Sequence, residues 1–192
     1  MQLWGKERVE TVPRAIRDDS VWRVEAYRLA LFAGDLAWHD ATKLLGDKRT
    51  ISMADQLHRA AGAISGDIAE GYSRRSGKDQ ARFYEYALGS AREARDWYYK
   101  GRHVLGETVA NHRMELHTQI IKSLLTIIPN ERGYRMREEG SPYSAGSLHL
   151  LDNPPMPDSE HTSHAQRTTH HVAAPRTTHH VPVASHHAAP PS

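Results

Sequence analysis

Apolar residues recur three and four positions apart from about residue 20 to residue 130, which is the spacing of amphipathic α-helices. Asp18, Asp19 and Ser20 offer N-cap oxygens at the start of the first helix, and Gly46 with Asp47 supplies a stop. The positions predicted to face inward on this helix are Val24, Tyr27, Leu31, Gly34, Trp38, Ala41 and Leu45.

The second predicted helix begins after Thr50 or Ser52, either of which can act as its N-cap, and ends at Gly71. Gly62 and Gly66 lie within it, although each glycine costs about 1 kcal/mol relative to alanine in a helix. We therefore expect another helix to approach closely at these two positions. The predicted inner stripe is Met53, Leu57, Ala60, Ala61, Ile64 and Ile68.

Only Gly106 separates the third predicted helix from the fourth. Ser76 and Asp79 have the spacing of a capping box at the start of the third, and Pro129 with Asn130 is expected to end the fourth. Both helices have two apolar sides. In the third these are Phe83, Ala87, Ser90, Ala94, Trp97, Gly101 and Val104, with Tyr84, Leu88, Ala91, Tyr98 and Leu105 beside them. In the fourth they are Val109, Leu116, Ile120, Leu124 and Ile127, with Ile121, Leu125 and Ile128 beside them.

Four helices with brief connections and no strand-like alternation predict an all-α fold, an up-and-down four-helix bundle. We expect the bundle domain at residues 20–130, after an N-terminal extension at 1–19 that is mobile or docks late. The two apolar sides of the last two helices exceed what one small bundle needs inside. A homo-oligomer is therefore predicted.

Residues 131–192 are predicted to be a disordered Pro/His/Thr-rich tail, since aromatic residues end at Tyr143 and little apolar surface remains to offset the entropy of ordering. The segment RTTHHV at 167–172 recurs at 176–181. Imidazole pairs in this tail can chelate nickel, copper or zinc, but we favour a repeat-expanded linker with adventitious metal affinity. The pairs are His161 with His164, His170 with His171, His179 with His180, and His186 with His187.

No catalytic or cofactor motif is found. The chain has no cysteine, which excludes thiolate zinc sites and cysteine nucleophiles. Asp67 and Glu70 are three apart, as carboxylates in helical metal sites are, but the Glu-x-x-His partner of a di-iron bundle is missing. We therefore expect a protein that is not an enzyme and has no cofactor or metal site. Ser65 and Ser90 are expected to serve packing, and His39, His58, His103, His112 and His117 are expected at the surface or its boundary.

The first residues are charged and lack the apolar stretch of a signal peptide, and no later run approaches the ~20 apolar residues that span a bilayer. These features predict a soluble, cytoplasmic protein without a membrane partner.

The charge pattern suggests a nucleic-acid surface only locally, because the net charge is just +2. Arginine greatly outnumbers lysine, and its planar guanidinium suits phosphate. The turn RRSGK at 74–78 places three cations together before the first acid. The alternative is a solvated face of ion pairs with neighbouring carboxylates, each worth tenths of a kcal/mol. The candidate nucleic-acid-binding residues are Arg74, Arg75, Lys78, Arg82, Arg92, Arg95 and Arg102.

The segments QLHRAAGAISGDIAEG at 56–71 and FYEYALGSARE at 83–93 resemble the 23S rRNA intervening-sequence protein family. That family typically reads Q-L-x-R-A-A-x-S-I-x-x-N-I-A-E-G, then a basic turn, then F-x-x-x-A-x-G-S-x-x-E. The resemblance spans roughly residues 22–130 and implies bundles that assemble into pentameric rings. Asp67 departs from the usual asparagine. The matching positions that we single out as a structural motif are Gln56, Arg59, Ala60, Ala61, Glu70, Gly71, Gly89, Ser90 and Glu93.

A related branch of the family, the accessory variability determinant of diversity-generating retroelements, is a basic pentamer that binds a reverse transcriptase and nucleic acid. The resemblance therefore leaves two functions open. One is a ring that associates with RNA or DNA through the basic turn. The other is a protein-interaction scaffold, such as a reverse-transcriptase accessory subunit. In either case Arg59 and Glu70 are expected to make structural ion pairs or hydrogen bonds.

Overall fold

The computed structural model describes residues 12–132, Leu150 and residues 153–158. The described residues form five α-helices and no strand, so the expectation of an all-helical chain is confirmed for them. No helix among them is both long and apolar enough to cross a membrane. The helices are α1 (Arg14–Arg17), α2 (Glu25–Leu45), α3 (Ile51–Tyr72), α4 (Gly77–Leu105) and α5 (Glu107–Glu131), with a 3-10 turn at Ser20–Arg23.

Local signals predict the helix boundaries at Gly46, Thr50, Ser76 and Gly106 correctly and are shifted at two others. Ser76 Oγ accepts a hydrogen bond from the backbone N–H of Asp79 at 3.3 Å, which confirms the cap of α4. Asp19 caps the 3-10 turn through the N–H of Val21, so α2 begins only at Glu25. Pro129 does not end α5, because a proline in the last turn removes a single intrahelical hydrogen bond.

The four long helices pack as antiparallel neighbours. Consecutive helices lie side by side, and α2 also packs against α5. One hydrophobic cluster joins the start of α2 to the end of α3, the start of α4 and the end of α5. The second cluster joins the opposite ends of the same helices. The chain therefore reverses direction at each short connector, which brings the α3–α4 turn beside the end of α5.

The buried face of α2 is not the one predicted. Trp38 is 63% exposed and Leu45 is 56% exposed, although both were expected to face inward. Leu36, Asp40 and Leu44 are fully buried instead. Apolar residues occur on most sides of α2, so their spacing fits two different stripes. The stripe that is buried contains Asp40, and this charged residue makes it hard to recognise in the sequence.

The predicted stripe of α3 is largely correct, but no described part of the same chain packs closely against its two internal glycines. A Cβ at Gly62 or Gly66 would have no described neighbour within 4 Å. The close approach occurs at Gly71, where a Cβ would lie 2.9 Å from Phe83 Cβ and from Tyr84 Cε1. The buried members of the stripe are Leu57, Ala60, Ala61, Ile64 and Ile68.

The second apolar sides predicted for α4 and α5 are buried within the chain, except at Leu125. On α4 the flanking side is buried within the chain, at Tyr84, Leu88, Ala91, Tyr98 and Leu105. Trp38 and Leu45 of α2 and Ile51 at the start of α3 are exposed. Between α2 and α3 runs a depression of about 330 Å³ that we call the α2/α3 groove, lined by Trp38, Ala41, Thr42, Leu45, Ala54, Asp55 and His58.

Part of the predicted tail packs against the helices. Leu150 and residues 153–158 form what we call the C-terminal strap. The carbonyl of the buried Leu150 accepts a hydrogen bond from His112 Nε2 at 2.8 Å, and the carbonyl of Asp158 accepts one from Lys43 Nζ at 2.7 Å. Glu131 and Arg132, also assigned to the tail, belong to the end of α5. The other residues of the predicted tail, including every histidine pair and the unit Ser163–Ser192, lie outside the described residues, as do residues 1–11 of the predicted extension.

Candidate nucleic-acid interface

The turn between α3 and α4 is built around Gly77. A Cβ at this position would lie 2.4 Å from the carbonyl oxygen of Glu131, so the absence of a side chain lets α4 begin directly against the end of α5. This close approach brings Arg132 beside the first turns of α4, where it pairs with Glu85. A depression of about 460 Å³ results, lined by Lys78, Asp79, Arg82, Glu85 and Arg132. The sequence did not point to Arg132, because its neighbours in the fold come from another helix.

The cations of the turn differ in how far they are already engaged. Arg74 pairs with Glu70, and its guanidinium lies 4.5 Å from the centroid of the Phe83 ring. Arg75 and Lys78 are exposed and make no hydrogen bond or ion pair with a described residue. Arg82 is exposed and, among the described residues, contacts the Phe83 ring at 5.5 Å. We call Arg75, Lys78 and Arg82 the turn cations, and they are the charges most accessible to an anionic ligand.

The other candidate arginines of α4 do not extend this surface. Arg95 is half-buried and donates a hydrogen bond to Thr118 Oγ1 of α5 at 3.2 Å. Arg102 lies 3.5 Å from a carboxylate oxygen of Glu107 and donates to the carbonyl of Tyr99. Arg92 is exposed farther along α4. Two of the seven candidate residues therefore engage α5 residues.

The polar residues of the motif pair with residues about one turn away, and Arg59 and Glu70 do not pair with each other. Arg59 donates to Gln56 Oε1 at 3.1 Å, and its Nε lies 3.8 Å from a carboxylate oxygen of Asp55. Glu70 holds Arg74. Exposed pairs of this kind contribute about 0–1 kcal/mol, so they orient side chains more than they stabilise the fold.

The remaining motif residues divide between core and surface. Ala60, Ala61 and Gly71 are buried, Ser90 is half-buried and Gly89 is exposed. Glu93 is exposed and accepts a hydrogen bond from Trp97 Nε1 at 3.2 Å.

The carboxylate pair of α3 is not joined by a third ligating side chain among the described residues. Asp67 is half-buried, and burial together with the neighbouring charge of Glu70 raises its pKa. Glu70 itself is engaged by Arg74. Within the described ranges, no group of three or more histidine, aspartate or glutamate side chains is arranged to hold a metal ion.

A buried ionic cluster, which was not predicted from the sequence, links three helices. Arg113 of α5 and Asp40 of α2 are inaccessible to solvent and form two hydrogen bonds, Nε to Oδ2 at 2.7 Å and Nη2 to Oδ1 at 3.2 Å. Tyr98 of α4 donates to the same Oδ2 at 2.9 Å. Burial, and then the charge of Asp40, raise the pKa of Tyr98 well above its usual value, so its hydroxyl stays a donor.

The C-terminal strap completes this cluster. Arg113 Nη1 donates to His112 Nδ1 at 2.9 Å, while His112 Nε2 donates to the carbonyl of Leu150. The sulfur of Met156 lies 3.9 Å from Arg113 Nη2. The strap therefore reaches the guanidinium directly through Met156 and indirectly through His112.

His117 is fully buried, which corrects the expectation that it lies at the surface or its boundary. Its Nδ1–H donates to the carbonyl of Arg113 at 2.8 Å, and its Nε2 has no partner among the described residues. Burial, supported by the charges of Arg113 and Arg95, lowers its pKa to about 4, so the ring is neutral at physiological pH. His39, His58 and His103 are exposed and His112 is half-buried, as expected.

A sequence signal for the cluster did exist. The inner stripe of α5 was read as Val109 followed by Leu116, and Arg113 fills the gap four residues after the first and three before the second. On α2, Asp40 likewise lies within an apolar stripe, four residues after Leu36 and four before Leu44. A charged residue at a core position on each of two helices is the signature of a buried pair.

Comparison with known proteins places the helical region in a family. The model of the 23S rRNA-intervening sequence protein family matches residues 25–126, which is more than half of the chain. The chain belongs to the 23S rRNA-intervening sequence protein family. The family match runs from the first residue of α2 into the last turns of α5, so it includes the turn and the buried cluster but not the C-terminal strap. No curated protein and no solved structure matches the chain.

Proposed function

We propose that this protein is a non-enzymatic four-helix bundle that forms a ring and associates with RNA or another nucleic acid through the turn cations. The observation that carries the proposal is that Arg75, Lys78 and Arg82 are exposed, without an acidic partner in the described part of the chain, where α4 begins. The dipole of this helix terminus adds positive potential at the same place. The family name, which refers to an intervening sequence of 23S rRNA, supports RNA as the first ligand to test.

Ring formation would strengthen weak contacts with phosphate. Each protomer contributes only a few positive charges. Once one protomer of a ring holds a nucleic-acid strand, the other protomers meet that strand at a high effective concentration, so the whole ring binds more tightly than one protomer. Arg95 and Arg102 do not belong to the proposed interface, because they already engage Thr118 and Glu107.

A filter-binding assay across salt concentrations tests this proposal. Replacing the three turn cations by glutamine should weaken binding to RNA and lower the salt slope by about 1 for each phosphate that the protein no longer neutralises. The charge-matched control replaces Arg14, Arg23 and Lys48, which are exposed elsewhere. Absence of RNA binding at low salt, or an equal weakening in the control, would count decisively against the interface.

The proposed ring is a homo-oligomer, with a pentamer as the expected state. Exposed Trp38, Leu45 and Ile51 support self-association, since exposed apolar side chains favour contact with another protein surface. Light scattering should find one species of about five protomer masses, and Trp38→Glu should reduce it to smaller species. A stable monomer at micromolar concentration would contradict the ring.

The alternative is a protein-interaction scaffold, such as the reverse-transcriptase accessory subunit of a diversity-generating retroelement. The α2/α3 groove favours it, because this groove is apolar and large enough for side chains of a partner protein. A reverse-transcriptase gene beside a template repeat would favour the scaffold, and location inside an rRNA gene would favour the RNA proposal. Binding of the neighbouring reverse transcriptase that is abolished by Trp38→Ser would support the scaffold directly.

A further inference from the structure

Two aromatic rings lie beside the turn cations. Phe83 and Tyr86 of α4 meet edge to face, with ring centroids 5.7 Å apart and planes at 87°. Arg74 and Arg82 both lie close enough to the Phe83 ring for cation–π interaction. Phe83 is therefore engaged, whereas Tyr86 is 52% exposed.

The surface next to Tyr86 is open. Gly89 lies three residues farther along α4, about one helical turn, and a Cβ there would meet no described atom within 4 Å. Arg82 lies four residues before Tyr86, so the cation and the ring are neighbours on one helix face. An exposed ring with a cation on one side and a bare glycine on the other can receive a flat molecule.

We propose that this surface stacks an unpaired nucleobase on Tyr86 while Arg75, Lys78 and Arg82 hold the adjacent phosphates, so that its ligand is single-stranded nucleic acid. This inference rests on the proposed function and narrows it. In a duplex the bases are stacked on one another and are not free to cover an aromatic side chain, so a duplex engages only the cations. Aromatic stacking does not depend on base identity, and sequence preference is therefore weak.

Fluorescence anisotropy on the full chain tests the inference with labelled strands of about 12 nucleotides, within the site sizes of such surfaces. Four probes are compared: single-stranded RNA, single-stranded DNA, a duplex of the same sequence, and an abasic strand with the same number of phosphates. The single strands with bases should bind more tightly than the duplex and the abasic strand. The ratio of the dissociation constants for single-stranded RNA and single-stranded DNA shows which of the two this surface prefers.

Substitution of the ring gives the sharper measurement. Tyr86→Ala should weaken single-strand binding by about 5-fold or more and leave duplex and abasic binding unchanged. Tyr86→Phe should keep the affinity, because it keeps the ring. Tyr99→Ala is the matched control, since Tyr99 is 53% exposed on the same helix but lies beside Arg102.

The outcomes separate the two proposals. If the protein binds single strand, duplex and abasic strand with equal affinity, and Tyr86→Ala has no effect, base stacking at Tyr86 is overturned. If this binding is nevertheless weakened when the turn cations are replaced, the proposed function still stands. No binding of any probe at low salt would overturn both. An equal weakening in Tyr99→Ala would also overturn stacking at Tyr86, because the effect would not be local.

Discussion

Replacing Asp40 by asparagine should be among the most damaging single changes in this fold. The substitution keeps the shape of the side chain and removes the negative charge that faces Arg113. Both side chains are inaccessible to solvent, so water cannot replace the missing partner. Removing one member of a buried ion pair costs about 3–5 kcal/mol, because the other charge stays buried without compensation.

The local geometry supports a value in this range. Asp40 accepts hydrogen bonds from Arg113 at 2.7 and 3.2 Å and from Tyr98 at 2.9 Å. Asparagine keeps one acceptor oxygen but turns an NH2 group toward donors. For a helical region of roughly 120 residues, each kcal/mol corresponds to about 3–5 °C in Tm, so the melting temperature should fall by about 10–25 °C.

Thermal and urea unfolding followed by circular dichroism provide the measurement. Asp55→Asn is the control, since Asp55 pairs with Arg59 at 3.8 Å and both side chains are 67% exposed. It should change stability by no more than about 0.5 kcal/mol. Combining Asp40→Leu with Arg113→Met and Tyr98→Phe should recover most of the stability, because a buried pair replaced as a unit is often neutral. If Asp40→Asn is as mild as Asp55→Asn, the cluster does not stabilise the fold as argued.

Three further changes test separate parts of the packing, each by unfolding of the purified chain. The free energy of unfolding should increase by up to about 3 kcal/mol as the pH rises from about 4 to 6.5, because in this window His117 is protonated in the unfolded state and neutral in the folded state. In His117→Phe this increase should be smaller. Gly71→Ala should destabilise by about 1–3 kcal/mol, since its Cβ would lie 2.9 Å from neighbouring carbons, whereas Gly66→Ala should stabilise by up to about 1 kcal/mol. Ser76→Ala should cost about 1 kcal/mol by removing the cap of α4, and an unchanged midpoint would show that this cap is dispensable.

The parts of the fold that depend on near neighbours in the chain were predictable. The capping spacing of Ser76, the break at Gly106 and the inner stripe of α3 are each encoded within a few residues. The all-helical class follows from the same local periodicity.

The face of α2 could not be read in this way. Whether position 40 belongs to the core depends on Arg113, which lies 73 residues farther along the chain. The three- and four-residue spacing alone assigned Trp38 and Leu45 to the interior. The error follows from a pairing that local spacing does not record.

In the candidate interface, too, features encoded by adjacent residues were predictable and features that depend on contacts between helices were not. The basic turn was visible because its cations are adjacent in sequence. The extent of the basic surface was not predictable, because it depends on contacts between helices. Arg95 donates a hydrogen bond to Thr118 of α5, and Arg132 at the end of α5 lies beside α4. Tyr86 was not singled out because its value as a stacking surface comes from exposure, which the periodicity of a short helix segment does not decide.

The exposed glycines connect the fold to the proposed assembly. Gly62, Gly66 and Gly89 each lower the stability of their helix by about 1 kcal/mol relative to alanine, and no described atom of the same chain packs against any of them. Among the described residues of one protomer, this cost is not offset by packing. A second copy or a bound ligand that approaches the backbone there would offset it, and would be hindered by a methyl group. Gly66→Ala therefore separates the two cases: it should stabilise the protomer in either case, and it should weaken assembly only if the face of α3 that carries Gly66 lies against another subunit.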